Sequence, residues 1–340
     1  MGALFLATSH PESSQRKTPK EHMTISQKPL QTRLVQHLQV DPAQHPRGKS
    51  YLSAASGLVR WRQRLYVVAD DELHLGVFDD STVAGLAAPP GALVRLLEGD
   101  LPRDKGKRKK AKPDLETLAL LPPLPGCPAG ALLALGSGSK PQRESGVLVA
   151  LDIQGAPNGR MALVDLSALY APLRKRFEDL NIEGAIVLSG ELLLLHRGNQ
   201  GDSNSACIRF DWNLLAPWLA GLQPKPPSAK SVQLMQLGSV GGVPLSLTDG
   251  TALHGGAWAF SAVAESTDDS YLDGACVGSA IGIVATDGQI QCIHPLEGAP
   301  KVEGIAVLAQ GDEWVFTLVT DPDDPKVPAQ LLQAHVAQEF

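Results

Sequence analysis

Four acidic residues stand at matching places in four stretches of the chain. Glu116 precedes Thr-Leu-Ala in DLETLALL, and Glu183 precedes Gly-Ala-Ile in NIEGAIVL. Asp249 precedes Gly-Thr-Ala in LTDGTALH, and Glu303 precedes Gly-Ile-Ala in KVEGIAVL. A fifth stretch, AASGLVRW, carries Ser56 at the same place. A carboxylate beside residues that want burial is costly unless something pairs with it. If the five stretches converge, like charges gather and raise each other's pKa. Two outcomes relieve that. A hard divalent cation such as Ca2+ sits among the carboxylates, with Glu116, Glu183, Asp249 and Glu303 as its ligands. Alternatively, each acid hydrogen-bonds to the neighbouring repeat and staples the fold, with the glycine after Glu183 and Glu303 permitting a tight backbone turn. Both readings stay open on sequence alone.

A second set of candidate ligand-binding residues differs in type from repeat to repeat: Asp70, Ser139, Arg197, Asn199, Glu265 and Asp321. They fall at the ends of the second apolar run of each unit, where loops on one face carry function. Ser139 belongs to GSGSKPQRESG, whose Lys140 and Arg143 add positive charge and whose backbone N–H groups could cradle an anion. With Arg197, these bases would orient a small anionic ligand. The loop lacks the Gly-Lys-Ser/Thr ending of a P-loop. No G-x-S-x-G or H-E-x-x-H motif occurs, and His196 and His254 have no evident dyad partner, so no catalytic residue is assigned.

These residues need a frame that repeats. Each matched stretch is followed by short runs rich in branched residues and bounded by Gly, Asp, Ser or Pro, such as RLYVVAD, HLGVFD and GALVRLLEGD after Gly57. Such runs are strand and turn signals, recurring at roughly 60 residues, a period that points to a propeller. Four units contain four strands and the last contains three, while TRLVQHLQV (32–40) precedes the first unit. The sequence therefore predicts an all-β, five-bladed β-propeller of four-stranded blades. The N-terminal strand pairs with the last blade and removes the exposed edges. A six-bladed alternative would require a unit in 212–229, which reads instead as a short helix and a Pro-rich loop. A second helix is expected over 167–181. Residues 1–31 read as a disordered extension and 32–340 as a single domain.

The chain of 340 residues is 43% hydrophobic and carries a net charge of −6. RDKGKRKKAKPD (103–114) holds seven basic residues without interleaved aromatics. It reads as a solvated loop that leads directly into Asp114 and Glu116. The net charge and the missing stacking residues argue against a nucleic-acid partner. No apolar run is long enough to span a membrane, and ALFLA is too short for a signal sequence. Cys127, Cys207, Cys276 and Cys292 have no metal-type spacing. A cytoplasmic monomer with free thiols is expected, with a Cys276–Cys292 bridge left open.

The strings SAASGLV, RLYVVADDELHLGVF, KPDLETLALLP, LALGSGSKPQR and DLNIEGAIV, with LLLLHRGN, resemble an uncharacterised group of bacterial propeller proteins. More distantly, the Glu-Gly start of the inner strands is similar to phytase-like esterase propellers. That wider resemblance implies a divalent cation in the channel and hydrolysis of an ester or phosphoester. Two functions follow: a metal-dependent hydrolase at the acid-lined mouth, or a non-catalytic propeller holding a ligand or protein there.

Overall fold

The structure, a computed structural model, describes residues 24–26, 28–80, 89–198, 204–266 and 275–338. Two strands, β1 (Thr24–Ile25) and β2 (Arg33–His37), precede blade 1, which is β3 (Ala55–Trp61), β4 (Arg64–Ala69), β5 (His74–Asp79) and β6 (Ala92–Arg95). Helix α1 (Lys105–Ala111) leads to blade 2: β7 (Leu115–Leu121), β8 (Ala131–Gly136), β9 (Ser145–Leu151) and β10 (Pro157–Asp165). Helix α2 (Ser167–Arg174) leads to blade 3: β11 (Ile182–Leu188), β12 (Glu191–His196), β13 (Ser205–Asp211) and, after α3 (Trp212–Leu219), β14 (Ser231–Met235). A small hairpin, β15 (Ser239–Val240) and β16 (Val243–Pro244), precedes blade 4: β17 (Ser246–Ala252), β18 (Trp258–Ser266), β19 (Ala275–Val284) and β20 (Ile290–Pro295). Blade 5 is β21 (Val302–Gln310), β22 (Glu313–Thr320) and β23 (Gln330–Ala337), completed by β2.

The fold is the expected five-bladed propeller of four-stranded antiparallel blades. Strand β2 pairs antiparallel with β23 and closes the ring, with Arg33 opposite Gln333 and His37 opposite Gln330. The first strand of each blade lines the axis, and neighbours touch in the order β3, β7, β11, β17, β21 and back to β3. Alternating side chains on each strand face the two adjoining blades, so the apolar core is divided into five interblade clusters. Fully buried Tyr66, Phe210, Phe260 and Phe316 are among the largest side chains in them. The 212–229 region holds α3, as expected. Helix α2 is shorter than 167–181, but Leu169, Leu173 and Phe177 are buried together as the spacing required.

Three expectations change. Of the segment expected to be a disordered extension, the described part from Thr24 is placed against blade 4. Strand β1 pairs parallel with β20, and Leu30 bridges Leu296. The basic run is not a solvated loop. Asp104 caps a helix by accepting the Lys107 N–H at 2.9 Å, and Arg108 and Lys112 are buried. Pro113 ends the helix, because the residue before a proline is pushed out of the helical region, and Lys112 is accordingly extended. Third, the glycines after Glu183 and Glu303 do not make turns. A Cβ on Gly184 would lie 2.9 Å from Asp249 Cα, and one on Gly304 would lie 2.9 Å from Leu58 Cβ. These glycines let the inner strands close up on the axis. All four cysteines are free thiols, and no described helix is long and apolar enough to cross a membrane.

Candidate functional site

Every inner strand carries a β-bulge at the same point, where one extra residue breaks the register with the second strand of its blade. The extra residues are Ser56, Glu116, Glu183, Thr248 and Glu303. A bulge leaves one residue unpaired and re-aims its side chain. Ser56, Glu116, Glu183 and Glu303 thereby line one cavity of about 210 Å3 at the channel mouth. Blade 4 corrects the sequence alignment by one position, since Thr248 and not Asp249 is the counterpart of the ring acids. A one-residue slip along a strand reverses the side chain's direction, and Asp249 is not among the cavity's lining residues. Its Oδ2 accepts the N–H groups of Ile305 at 3.1 Å and Leu58 at 3.4 Å, joining blades 4, 5 and 1 across the axis. Burial, against those backbone hydrogen bonds, raises the Asp249 carboxyl well above its ordinary value. Asp249 is thus a staple, and the metal-ligand expectation does not fit its position.

The three ring glutamates have different surroundings. Arg197, at the end of β12, reaches Glu183 at 3.5 Å, Glu265 at 2.7 Å and Glu303 at 3.7 Å. Lys301 Nζ reaches Glu265 at 2.9 Å, Glu303 at 3.5 Å and Asp323 at 2.7 Å. Glu183 also accepts a hydrogen bond from Asn181 Nδ2. Glu116 receives neither a hydrogen bond nor an ion pair from a described residue, and it opens on the cavity. Burial, Asp114, Glu183 and Asp70 together push its carboxyl well above the usual range. Burial lifts Glu303 to about 8, opposed by Arg197 and Lys301. Burial likewise lifts Asp321 to about 8, against Lys301.

Beside Glu116 stand Asp70 and Asp114, with ligand oxygens of all three within 4.8 Å of one another. Asp114 has a left-handed backbone, φ 58°, a conformation that a short polar side chain tolerates better than most. Its carboxylate accepts from Ser137 Oγ at 2.6 Å and from Arg143 at 2.7 Å. Lys112 Nζ lies 2.8 Å from Asp114 Oδ1 and also contacts Asp70. Helix α1 roofs the cavity through Arg108, Lys109 and Lys112. Arg143 donates to the Lys109 carbonyl at 3.1 Å, and Arg108 to the Asp71 carbonyl at 3.2 Å.

The second set of candidates is divided. Asp70, Arg143, Arg197, Glu265 and Asp321 line the same cavity as the ring. Asn199 lies outside the described residues. Ser139 accepts from Arg143 at 2.8 Å, and Lys140 is exposed; neither lines the cavity. The expected anion cradle is not formed by the loop around them. Gly138 N–H goes to the Arg143 carbonyl, Ser139 N–H to Ser137 Oγ and Arg143 N–H to the Lys140 carbonyl. Arg143 and Arg197 themselves face carboxylates. His254 is exposed, and His196 is buried against Phe177. Sequence reasoning missed Lys112, Asp114 and Lys301. A signal for two of them existed: the residue two before each ring position, Ala54, Asp114, Asn181, Ser246 and Lys301, lines the cavity in all five blades.

The fold and this charge-lined mouth define a five-bladed β-propeller with a polar cavity at one end of its axis. Residues 108–325 match the family DUF6910, described as a family of unknown function, and the chain belongs to it. No curated protein matches the chain in sequence. Among solved structures, the glutaminyl cyclase of Myxococcus xanthus is similar at 10% identity and TM-score 0.45, over 91% of this chain and all (100%) of that one. An α-L-arabinofuranosidase of Podospora anserina is similar at 10% identity and TM-score 0.49, over 91% and 96% of the two chains. An endo-arabinase of Bacteroides thetaiotaomicron is similar at 9% identity and TM-score 0.47, over 88% and 98%. Likenesses this remote carry no argument about chemistry.

Proposed function

We propose that this protein is a ligand-binding propeller whose mouth cavity takes a divalent cation, with Ca2+ as the first candidate. Glu116, Asp70 and Asp114 would be its ligands, and Glu183 and Glu303 would complete the negative surroundings. One observation carries this reading: Glu116 opens on the mouth cavity with no hydrogen bond or ion pair from a described residue, beside two further carboxylates. The donors are hard oxygens, and their spacing suits cation–oxygen bonds of about 2.3–2.6 Å. A bound cation would offset the burial and the neighbouring carboxylates that lift Glu116. It could in turn hold a small anionic ligand under α1.

The test uses chelator-treated protein and its melting temperature. Millimolar Ca2+ is expected to raise Tm by several degrees, because a ligand that binds only the native state stabilises it. Glu116→Gln, which keeps the shape and removes the charge, is expected to lose most of that rise. No shift with Ca2+, Mg2+ or Mn2+, and no metal in the protein as purified, would overturn the reading.

A hydrolase is the second reading, and the placement of Glu303 and Asp321 favours it. Both line the cavity with carboxyls lifted to about 8, the range that suits a general acid or base near neutral pH. The cation would polarise an ester or phosphoester oxygen. Turnover of aryl phosphates or esters that requires Ca2+ and is lost in Glu303→Gln would support it, and metal binding without turnover would leave the binding module.

A further inference from the structure

Lys112 is the residue that stands where a cation would stand. It is the C-cap of α1, its N–H bonded to the Arg108 carbonyl, and Pro113 directs the chain out of the helix and down to β7. Its ammonium is 2.8 Å from Asp114 and in contact with Asp70, two of the three carboxylates whose oxygens lie within 4.8 Å. Lys112 is only 9% exposed, and its own helix roofs the cavity. In the same cavity, Glu303 is 6% exposed and keeps one oxygen, Oε2, with no hydrogen-bond partner. The mouth thus still holds an unmatched acceptor after its own lysines and arginines are placed.

We infer that Lys112 is a tethered internal cation that occupies the binding site when no ligand is present, so that an incoming divalent cation displaces it and releases α1 from the mouth. This rests on the cation-binding reading above. Two like charges cannot share the space between Asp70 and Asp114 without strong repulsion. When Lys112 Nζ leaves, the C-terminal end of α1 loses its shortest ionic anchor. Among the contacts that remain are the longer Arg108–Asp71 ion pair at 3.9 Å and hydrogen bonds to backbone carbonyls: Arg108 to Asp71 at 3.2 Å, Arg143 to Lys109 at 3.1 Å and Gln142 to Lys110 at 3.4 Å. Site occupancy and helix docking are then coupled, and the coupling is reciprocal. The basic stretch that looked like solvated charge becomes a lid whose lock is a lysine.

The experiment compares the wild type with Lys112→Gln, using Ca2+ alone as the probe. Two readouts are taken: calcium affinity by calorimetry, and amide hydrogen exchange across residues 105–112. Lys112→Gln is expected to bind Ca2+ at least tenfold more tightly than the wild type, because no internal competitor must leave. In the wild type, saturating Ca2+ is expected to speed exchange across 105–112 at least tenfold. If Lys112→Gln fails to fold, the wild-type exchange decides alone. Calcium binding with equal affinity in both proteins and unchanged or slower exchange at 105–112 overturns the lid and leaves the cation site standing. Binding by Lys112→Gln alone supports the lid, since the lysine then blocks the wild type. No binding by either protein overturns the cation site and the lid together.

Discussion

Asp249 accepts N–H groups from two other blades, and Glu116, in the equivalent stretch of blade 2, accepts none from a described residue. The difference is one step of a pleated strand. Asp249 follows the bulge residue Thr248, whereas Glu116 is itself the bulge residue. The carboxyl of Asp249 is raised because it is buried without a counter-charge, so its hydrogen bonds matter more than its charge. Asp249→Asn, which keeps an acceptor for Leu58 and Ile305, is expected to change stability by less than about 1 kcal/mol in denaturant unfolding. Asp249→Ala strands two buried N–H groups and is expected to cost about 2–4 kcal/mol. Equal losses in the two variants would remove the staple from consideration.

The strands were legible because each is a short run of branched residues between turn residues, and the closing strand was legible because the last unit was one short. The removal of β2 tests that closure. Among the described residues, a chain lacking residues 1–31 loses β1, its short parallel pairing with β20 and the Leu30–Leu296 bridge, and is expected to melt within a few degrees of the full chain. A chain lacking residues 1–41 also exposes the hydrogen-bonding edge of β23, and is expected to aggregate or lose most of its cooperative transition. Identical melting of the two would contradict closure by β2. The aligned positions coincide with the bulges in four blades, at Ser56, Glu116, Glu183 and Glu303, and are shifted by one in blade 4, because Asp249-Gly250 imitates the Glu-Gly of Glu183 and Glu303. A bulge inserts a residue without marking the sequence, so only pairing fixes which residue it is. Helix α1 was hidden for a different reason. A seven-residue segment of mostly basic residues has no apolar face to announce it, and what holds it is the buried ion pairs of Arg108 and Lys112.

Two carboxyls of the mouth bind protons more tightly in the fold than in the free chain. Glu303 and Asp321 lose theirs near 4.5 and 3.8 as free groups but near about 8 in the fold. Between those limits the native state holds protons that the unfolded chain has released. Their contribution to stability is therefore complete below about pH 4 and is lost as pH rises through about 8. Melting temperature is expected to fall from pH 6 to pH 8.5 at low calcium, and to fall less steeply in Glu303→Gln. Equal slopes in both proteins would show that Glu303 holds no such proton.

Closure by β2 also has a consequence in time. Arg33 hydrogen-bonds to Gln333, a separation of 300 residues. At ribosomal speeds of about 5–20 residues per second, β2 waits roughly 15–60 seconds for its partner. Until then the growing chain is an open arc with a free edge at each end, and its buried charges have no finished cavity to meet in. For this protein the interval before the last strand emerges is when a chaperone has most to protect.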